Sequence, residues 1–237
     1  MGRMSTKYRV QNPKNNEIVE SFDFITDDAL ETALTTANDT FKQWREKSFE
    51  ERAEVLRKVA KLFDEQRAEL TRIIAEEMGK SVKEGDGEIN DVVEIFNYYA
   101  DNGAEFGADE EIPNQRGGTS VMRKVPLGVI LGIMPWNFPY YQVARFAAPA
   151  LMAGNVVMVK HAEICPRSAA AIAKIFDEAG APKGLYTNLY AKHSQVSTLI
   201  NDDRVQGVSL TGSERAGRTI ASQAGQALKL SLIHISD

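Results

Sequence analysis

Cysteine is almost missing from this 237-residue chain: Cys165 stands alone, so no disulfide can close within it, and with only three histidines no Cys/His cluster has metal-ligand spacing. A reducing setting and no metal are therefore expected. An excess of basic charge is missing too. The 28 Lys and Arg are outnumbered by 33 Asp and Glu, for a formal charge of -5 and a pI near 5.4, which argues against nucleic acid as a partner. Long hydrophobic runs are lacking: VPLGVILGIMPW is too short to cross a bilayer and is broken by Gly and Pro. MGRMSTKYRV has no apolar h-region of a secretory signal. The expectation is a cytoplasmic protein with no membrane partner.

What is present suffices for a core. Apolar residues make up 43% of the chain and charged residues 26%, so disorder is not expected. Residues 1–100 read as a helical N-terminal part. Leu30, Leu34, Ala37, Phe41 and Trp44 recur at three or four residues; Ser48 and Glu51 have capping-box spacing ahead of Ala53, Leu56, Val59 and Phe63. Gly79 is placed to end a third helix, and Ile89, Val92, Phe96 and Tyr99 stripe a fourth. Residues 101–125 form a connecting stretch, of which 101–119 are polar and glycine-rich and read as a linker or edge excursion and 120–125 as a strand candidate. From there to 237, strands at 128–134, 155–159, 185–189, 206–210 and 229–235 alternate with helices near 140–152, 167–179, 194–201 and 214–225. That alternation predicts an α/β fold with a mostly parallel sheet and helices on both faces, whose ligands bind beyond the carboxyl ends of the strands.

The conventional dinucleotide fingerprint GxGxxG occurs nowhere, so by motif alone a nucleotide site competes with a plain α/β domain. The segment after strand 128–134 reopens the question. Pro135, Trp136, Asn137, Phe138 and Pro139 form a compact turn where this sheet class places its site. Held there, Asn137 is either a rigid amide donor to charge developing on an oxygen or a residue that closes its own turn.

The stretch PLGVILGIMPWNFPYYQVARFAAPALMAGNVVMVKHAE, followed by LTGSERAGR, resembles the aldehyde dehydrogenase family. That family carries a PWNFP turn, an AGN, a strand ending in Lys-x-x-Glu and a T-G-S-x-x-x-G segment in this order. The resemblance implies a Rossmann-like cofactor domain using NAD or NADP, with 101–125 as linker and oligomerisation arm of a homodimer or homotetramer. It implies that Asn137 is the oxyanion amide, that Pro135 and Trp136 lie at the cofactor, and that Lys160 and Glu163 contact the adenosine ribose. Gly212 and Ser213 would meet the pyrophosphate, where helix-start donors suit phosphate. Gly217 would permit close approach, or simply pack its helix. A carboxylate at 163 favours NAD, although members of the succinate-semialdehyde branch often have Ser there and accept NADP. Arg145 matches an arginine that this branch uses for the distal carboxylate of succinate semialdehyde, its forked donors suiting a carboxylate; a solvated residue or subunit ion pair is the alternative. His161 also fits the branch, with no chemistry assigned.

The resemblance fades after Leu228. Where the family has Glu-Leu-Gly-Gly, with that Glu as general base, LSLIHISD puts His234, Ser236 and Asp237, and Cys165 lies on the adenosine side rather than where the nucleophile belongs. The sequence therefore reads as an N-terminal fragment with an artificial terminus, the catalytic domain and last strands absent, lacking nucleophile and general base and expected to be inactive. The function so read is an oxidoreductase lineage that oxidises an aldehyde, succinate semialdehyde foremost, with NAD or NADP. Alternatives are a betaine, lactaldehyde or medium-chain aldehyde as substrate, a nucleotide-binding module without catalysis, or a partner subunit.

Overall fold

Tyr8–Gln11 (β1) and Ile18–Phe22 (β2) pair antiparallel, so the first hundred residues are not all helical. A four-residue strand leaves only two inward positions, here Tyr8 and Val10, too few for its period of two to stand out in a sequence window. The computed structural model describes residues 8–115 and 117–236. Asp237, one of the positions where the resemblance leads to a glycine, and the N-terminal residues 1–7 lie outside the described residues.

Four helices follow: Asp27–Trp44 (α1), Phe49–Glu65 (α2), Arg67–Met78 (α3) and Val82–Phe106 (α4). Ser48 and Glu51 make both halves of the capping box that starts α2, each satisfying an otherwise unpaired backbone N–H. Gly79 ends α3 at φ 71°, a left-handed position that costs side-chain-bearing residues more. α4 runs past the expected start of the linker at 101. Its buried stripe continues through Ala100 and Gly103, small residues that a hydrophobicity pattern misses, and a Cβ on Gly103 would collide with Met152. Glu110–Ile112 (β3) and Ser120–Met122 (β4) form a second, exposed hairpin.

The rest alternates strand and helix: Val129–Met134 (β5), Tyr141–Met152 (α5), Val156–His161 (β6), Pro166–Glu178 (α6), Tyr186–Asn188 (β7), His193–Asn201 (α7), Val205–Gly212 (β8), Glu214–Gln226 (α8) and Leu230–Ile235 (β9). The five strands are parallel in the order β7-β6-β5-β8-β9. β5 and β6 are sealed on both faces, which is why they read as unbroken apolar runs rather than alternating ones. The chain winds outward from β5 through β6 to β7, then crosses back to lay β8 on the other side of β5. That reversal opens a crevice between the carboxyl ends of β5 and β8, the place where open sheets of this class bind ligands.

The strand expected at 229–235 is in place. β9 lies in register along β8, from Gly207 opposite Leu230 to Gly212 opposite Ile235, so residues 230–235 belong to the sheet. The alternation of LSLIHI serves a strand as well as any other sequence of that pattern, and the two isoleucines on its inner side pack under α8.

Candidate active site

The turn that leaves β5 is held by three residues remote in sequence. Lys80 Nζ, from the loop between α3 and α4, donates to the Asn137 carbonyl at 3.0 Å and pairs with Glu88 at 2.6 Å. The same ammonium lies 3.6 Å from the centre of the Phe138 ring, close enough for a cation–π contact. Glu88 Oε1 accepts from the backbone N–H of Tyr140 at 2.8 Å and of Tyr141 at 3.1 Å, occupying the open donors at the start of α5. His161 Nε2 lies 2.8 Å from the Pro139 carbonyl, which can only accept, so Nε2 carries the proton; Nδ1 accepts from Ala162 N–H at 3.1 Å. Burial pushes the His161 pKa down to about 4, so this ring is neutral near pH 7.

Held in this way, the Asn137 side chain faces the crevice. Its Nδ2 donates to Ser236 Oγ at 3.3 Å, while Oδ1 is buried without a partner. Ser236 N–H in turn donates to the Gly212 carbonyl at 3.0 Å. Asn137, Gly212 and Ser236 thus meet at the switch point, and Ser213 caps α8 beside them, its Oγ accepting from Ala216 N–H at 3.4 Å. Pro135 and Trp136 start the turn, with Trp136 exposed.

Arg145 projects from the second turn of α5. Its Nη2 donates to Thr211 Oγ1 at 3.0 Å and its guanidinium lies 5.7 Å from the Tyr141 ring centre; no carboxylate pairs with it among the described residues. It lines a groove of about 770 Å³ with Tyr98, Tyr99, Phe138, Tyr141, Asp91 and Glu94. An arginine beside aromatic walls and without an acid partner is arranged to take an anion from a ligand.

On the other side of the crevice, Lys160 Nζ pairs with Glu163 at 2.9 Å, and His193 Nε2 stands 3.5 Å from the same carboxylate. β1 sets this segment in place, since Arg9 N–H donates to the Glu163 carbonyl at 3.0 Å. Lys160 and His193 line a cavity of about 430 Å³ with Ser197, Arg215, Thr219 and Gln223 and with apolar walls from Val196, Leu210, Ala216 and Ile220. Gln223 Oε1 is buried and unpaired there. Flat apolar walls, a few polar groups and an open acceptor fit a nucleotide.

Three further residues of the sequence reading are Gly217, Cys165 and His234. Gly217 faces β9, where a Cβ would lie 2.7 Å from Ile235 Cδ1, so the structure gives it the packing role. Cys165 is fully buried, and burial together with Glu77 and Glu88 raises its thiol pKa well above the ordinary value, which does not suit a nucleophile. His234 is exposed on β9, opposite Thr211 in the sheet register. Lys80, Glu88, Thr211, His193 and Arg215 escaped the sequence reading, because no local spacing links them to the turn or the strand they serve.

A model of the "Aldehyde dehydrogenase family" matches residues 2–234. Over 233 residues the chain is 41% identical to a succinate-semialdehyde dehydrogenase (NADP+) of Deinococcus radiodurans, covering 98% of this chain and 49% of that protein. A probable succinate-semialdehyde dehydrogenase (NADP+) of Synechocystis is 40% identical over 224 residues, covering 94% of this chain and 49% of its own length. Among solved structures, succinic semialdehyde dehydrogenase from Streptococcus pyogenes in complex with NADP+ superposes with a TM-score of 0.94 at 40% identity, over 97% of this chain and 50% of that one. Betaine aldehyde dehydrogenase from Staphylococcus aureus in complex with NAD+ does so with a TM-score of 0.90 at 27% identity, over 96% and 47%. The chain spans about half the length of the curated relatives it matches.

These matches correct the reading of a fragment. The family match runs to residue 234, past the break expected after Leu228, and the residues beyond that break form a paired strand. The place where the chain stops therefore supports no conclusion that it is an N-terminal fragment, that a catalytic domain is absent, that nucleophile and general base are lacking or that the chain is inactive. Among the described residues, no helix is long and apolar enough to cross a membrane.

Proposed function

The chain belongs to the aldehyde dehydrogenase family, and on that premise we propose that it serves the NAD(P)-dependent oxidation of succinate semialdehyde to succinate. The observation that carries this reading is Arg145, a guanidinium without a carboxylate partner on the aromatic groove beside the Asn137 turn. Arg145 holds the distal carboxylate of the substrate, which points the aldehyde end toward Asn137. The Asn137 amide, its backbone fixed by Lys80, gives up its long bond to Ser236 and donates to the carbonyl oxygen as a nucleophile adds to the aldehyde carbon and the C=O π pair moves onto that oxygen. Because the clamp is already in place, little reorganisation is needed at that moment.

Lys160 and Glu163 hold the adenosine ribose, the backbone of Gly212 and Ser213 receives the pyrophosphate at the start of α8, and Pro135 and Trp136 border the cofactor. When bound, the nicotinamide supplies the hydride acceptor. The exposed hairpin β3–β4, with Ile112, Val121 and Met122 open to solvent, supports assembly into a homodimer or homotetramer. The test is product analysis: the protein incubated with succinate semialdehyde and NADP or NAD yields succinate and reduced cofactor in equal amounts. Reduced cofactor without succinate, or neither product, sinks the proposal.

A further inference from the structure

α6 begins without a cap of its own. Cys165, the residue before it, makes no side-chain hydrogen bond to the first turn, and Pro166 has no N–H to satisfy. Glu77 supplies the cap from the last turn of α3. Its Oε1 accepts from Arg167 N–H at 2.6 Å, and its Oε2 accepts from Ser168 N–H at 3.0 Å and from Ser168 Oγ at 2.5 Å. Around this node the Arg167 guanidinium reaches Glu20 on β2 at 2.6 Å and Glu76 on α3 at 2.8 Å, and the Tyr190 hydroxyl donates to the Pro166 carbonyl at 2.7 Å. Glu77 itself is 3% exposed, and burial lifts its pKa to about 7, so above neutrality its charge works against the fold rather than for it. What the carboxylate contributes is a position.

Only residues 162–165 separate the end of β6 from the start of α6, and Cys165 N–H closes them into a turn on the Ala162 carbonyl at 3.2 Å. Glu163 lies inside that turn, its carboxylate paired with Lys160 at 2.9 Å and its carbonyl held by Arg9 N–H at 3.0 Å. A shift of the α6 start therefore moves Glu163 directly. We infer that Glu77 is a positioning residue for Glu163: by fixing the N–H groups of Arg167 and Ser168 it sets the turn, and through the turn the direction in which the Glu163 carboxylate meets a ligand's hydroxyl pair. Glu88 does the same for the turn at Asn137 by capping α5, so each of these two loops at the crevice is set by a glutamate of the helical half. The inference rests on the proposed ribose role of Glu163 and adds a residue that acts only through it.

Calorimetric titration with ADP-ribose, which carries the adenosine ribose and the pyrophosphate, tests it in a double-mutant cycle at about pH 8, where Glu77 is ionised. Glu77→Gln keeps the length of the side chain and buries no charge, but sets an amide NH2 against one of the two backbone N–H groups. ADP-ribose is then expected to bind about fivefold more weakly, the order of one lost helix cap. Glu163→Gln weakens binding as well, and keeps one acceptor, so that affinity stays measurable. In that background Glu77→Gln changes the affinity by less than about twofold, since no carboxylate is left to aim. Glu77→Asp, which keeps the charge and shortens the reach, gives the same pattern. Wild-type affinity in both Glu77 variants, or a loss that recurs undiminished in the Glu163→Gln background, overturns the inference while leaving the cofactor site standing. Failure of the wild type to bind ADP-ribose overturns the cofactor reading itself, and the inference with it.

Discussion

Lys80 and Asn137, 57 residues apart, are joined by a 3.0 Å hydrogen bond from ammonium to backbone carbonyl, so the helical first half of the chain fixes the turn that carries Asn137, the proposed oxyanion amide. The Lys80–Glu88 pair is nearly dry, and such pairs rarely add net stability over apolar replacements, although breaking one is costly. Its use here is positional: Glu88 holds two N–H groups of the α5 start while Lys80 holds the carbonyl before it.

Lys80→Met therefore leaves Glu88 buried without its cation and is expected to destabilise the fold by about 3 kcal/mol. The double variant Lys80→Met/Glu88→Gln recovers part of that loss, because no lone charge remains inside. Denaturant unfolding of the two proteins measures both quantities. A single variant as stable as the wild type contradicts the buried clamp.

Acid should weaken the fold through His161. Its folded pKa, about 4, lies below the ordinary histidine value because burial disfavours the imidazolium, so the unfolded chain binds the extra proton first. This contribution is fully present above about pH 6.5 and is lost as pH falls toward 4. Glu77 has the opposite sign: burial lifts its pKa to about 7, so its contribution is present below its ordinary range and declines as pH rises through neutrality. The His161 contribution is isolated by comparison with His161→Gln, which retains a donor for Pro139. The stability gap between wild type and variant should narrow by about 3 kcal/mol between pH 7 and pH 4. A gap that does not change with pH refutes the assignment.

β9 is an edge strand whose outer side exposes Leu230 and Leu232 at 66% and 69%. Unpaired strand edges with apolar side chains invite self-association. Leu230→Lys/Leu232→Lys is expected to lower light scattering at high protein concentration while leaving the melting temperature within a few degrees, since neither side chain is buried. Unchanged scattering would show that association uses another surface, such as the β3–β4 hairpin.

Local rules made much of the fold legible. Each of the five sheet strands, the capping box at Ser48 and the left-handed Gly79 follows from spacing within one segment. The site was legible only where its residues lie on the turn and strand ends themselves. Lys80, Glu88 and Thr211 act across 57, 52 and 66 residues, distances over which sequence carries no periodic signal. Glu77 is a further case: it caps α6 by accepting from Arg167 and Ser168 N–H at 2.6 and 3.0 Å, a cap supplied by another helix and so invisible to rules that look one turn upstream. The strand expected at 229–235 is legible in the same local way, and its residues pair beside β8.

Arg145→Gln, assayed with succinate semialdehyde and with butanal, tests the central claim most directly, because the two aldehydes have the same carbon chain and only the first carries a carboxylate. The account predicts that kcat/KM for succinate semialdehyde falls on the order of a hundredfold while that for butanal changes by less than about threefold, as loss of one charge-assisted fork implies. An equal fall with both substrates, or no fall with either, would contradict it.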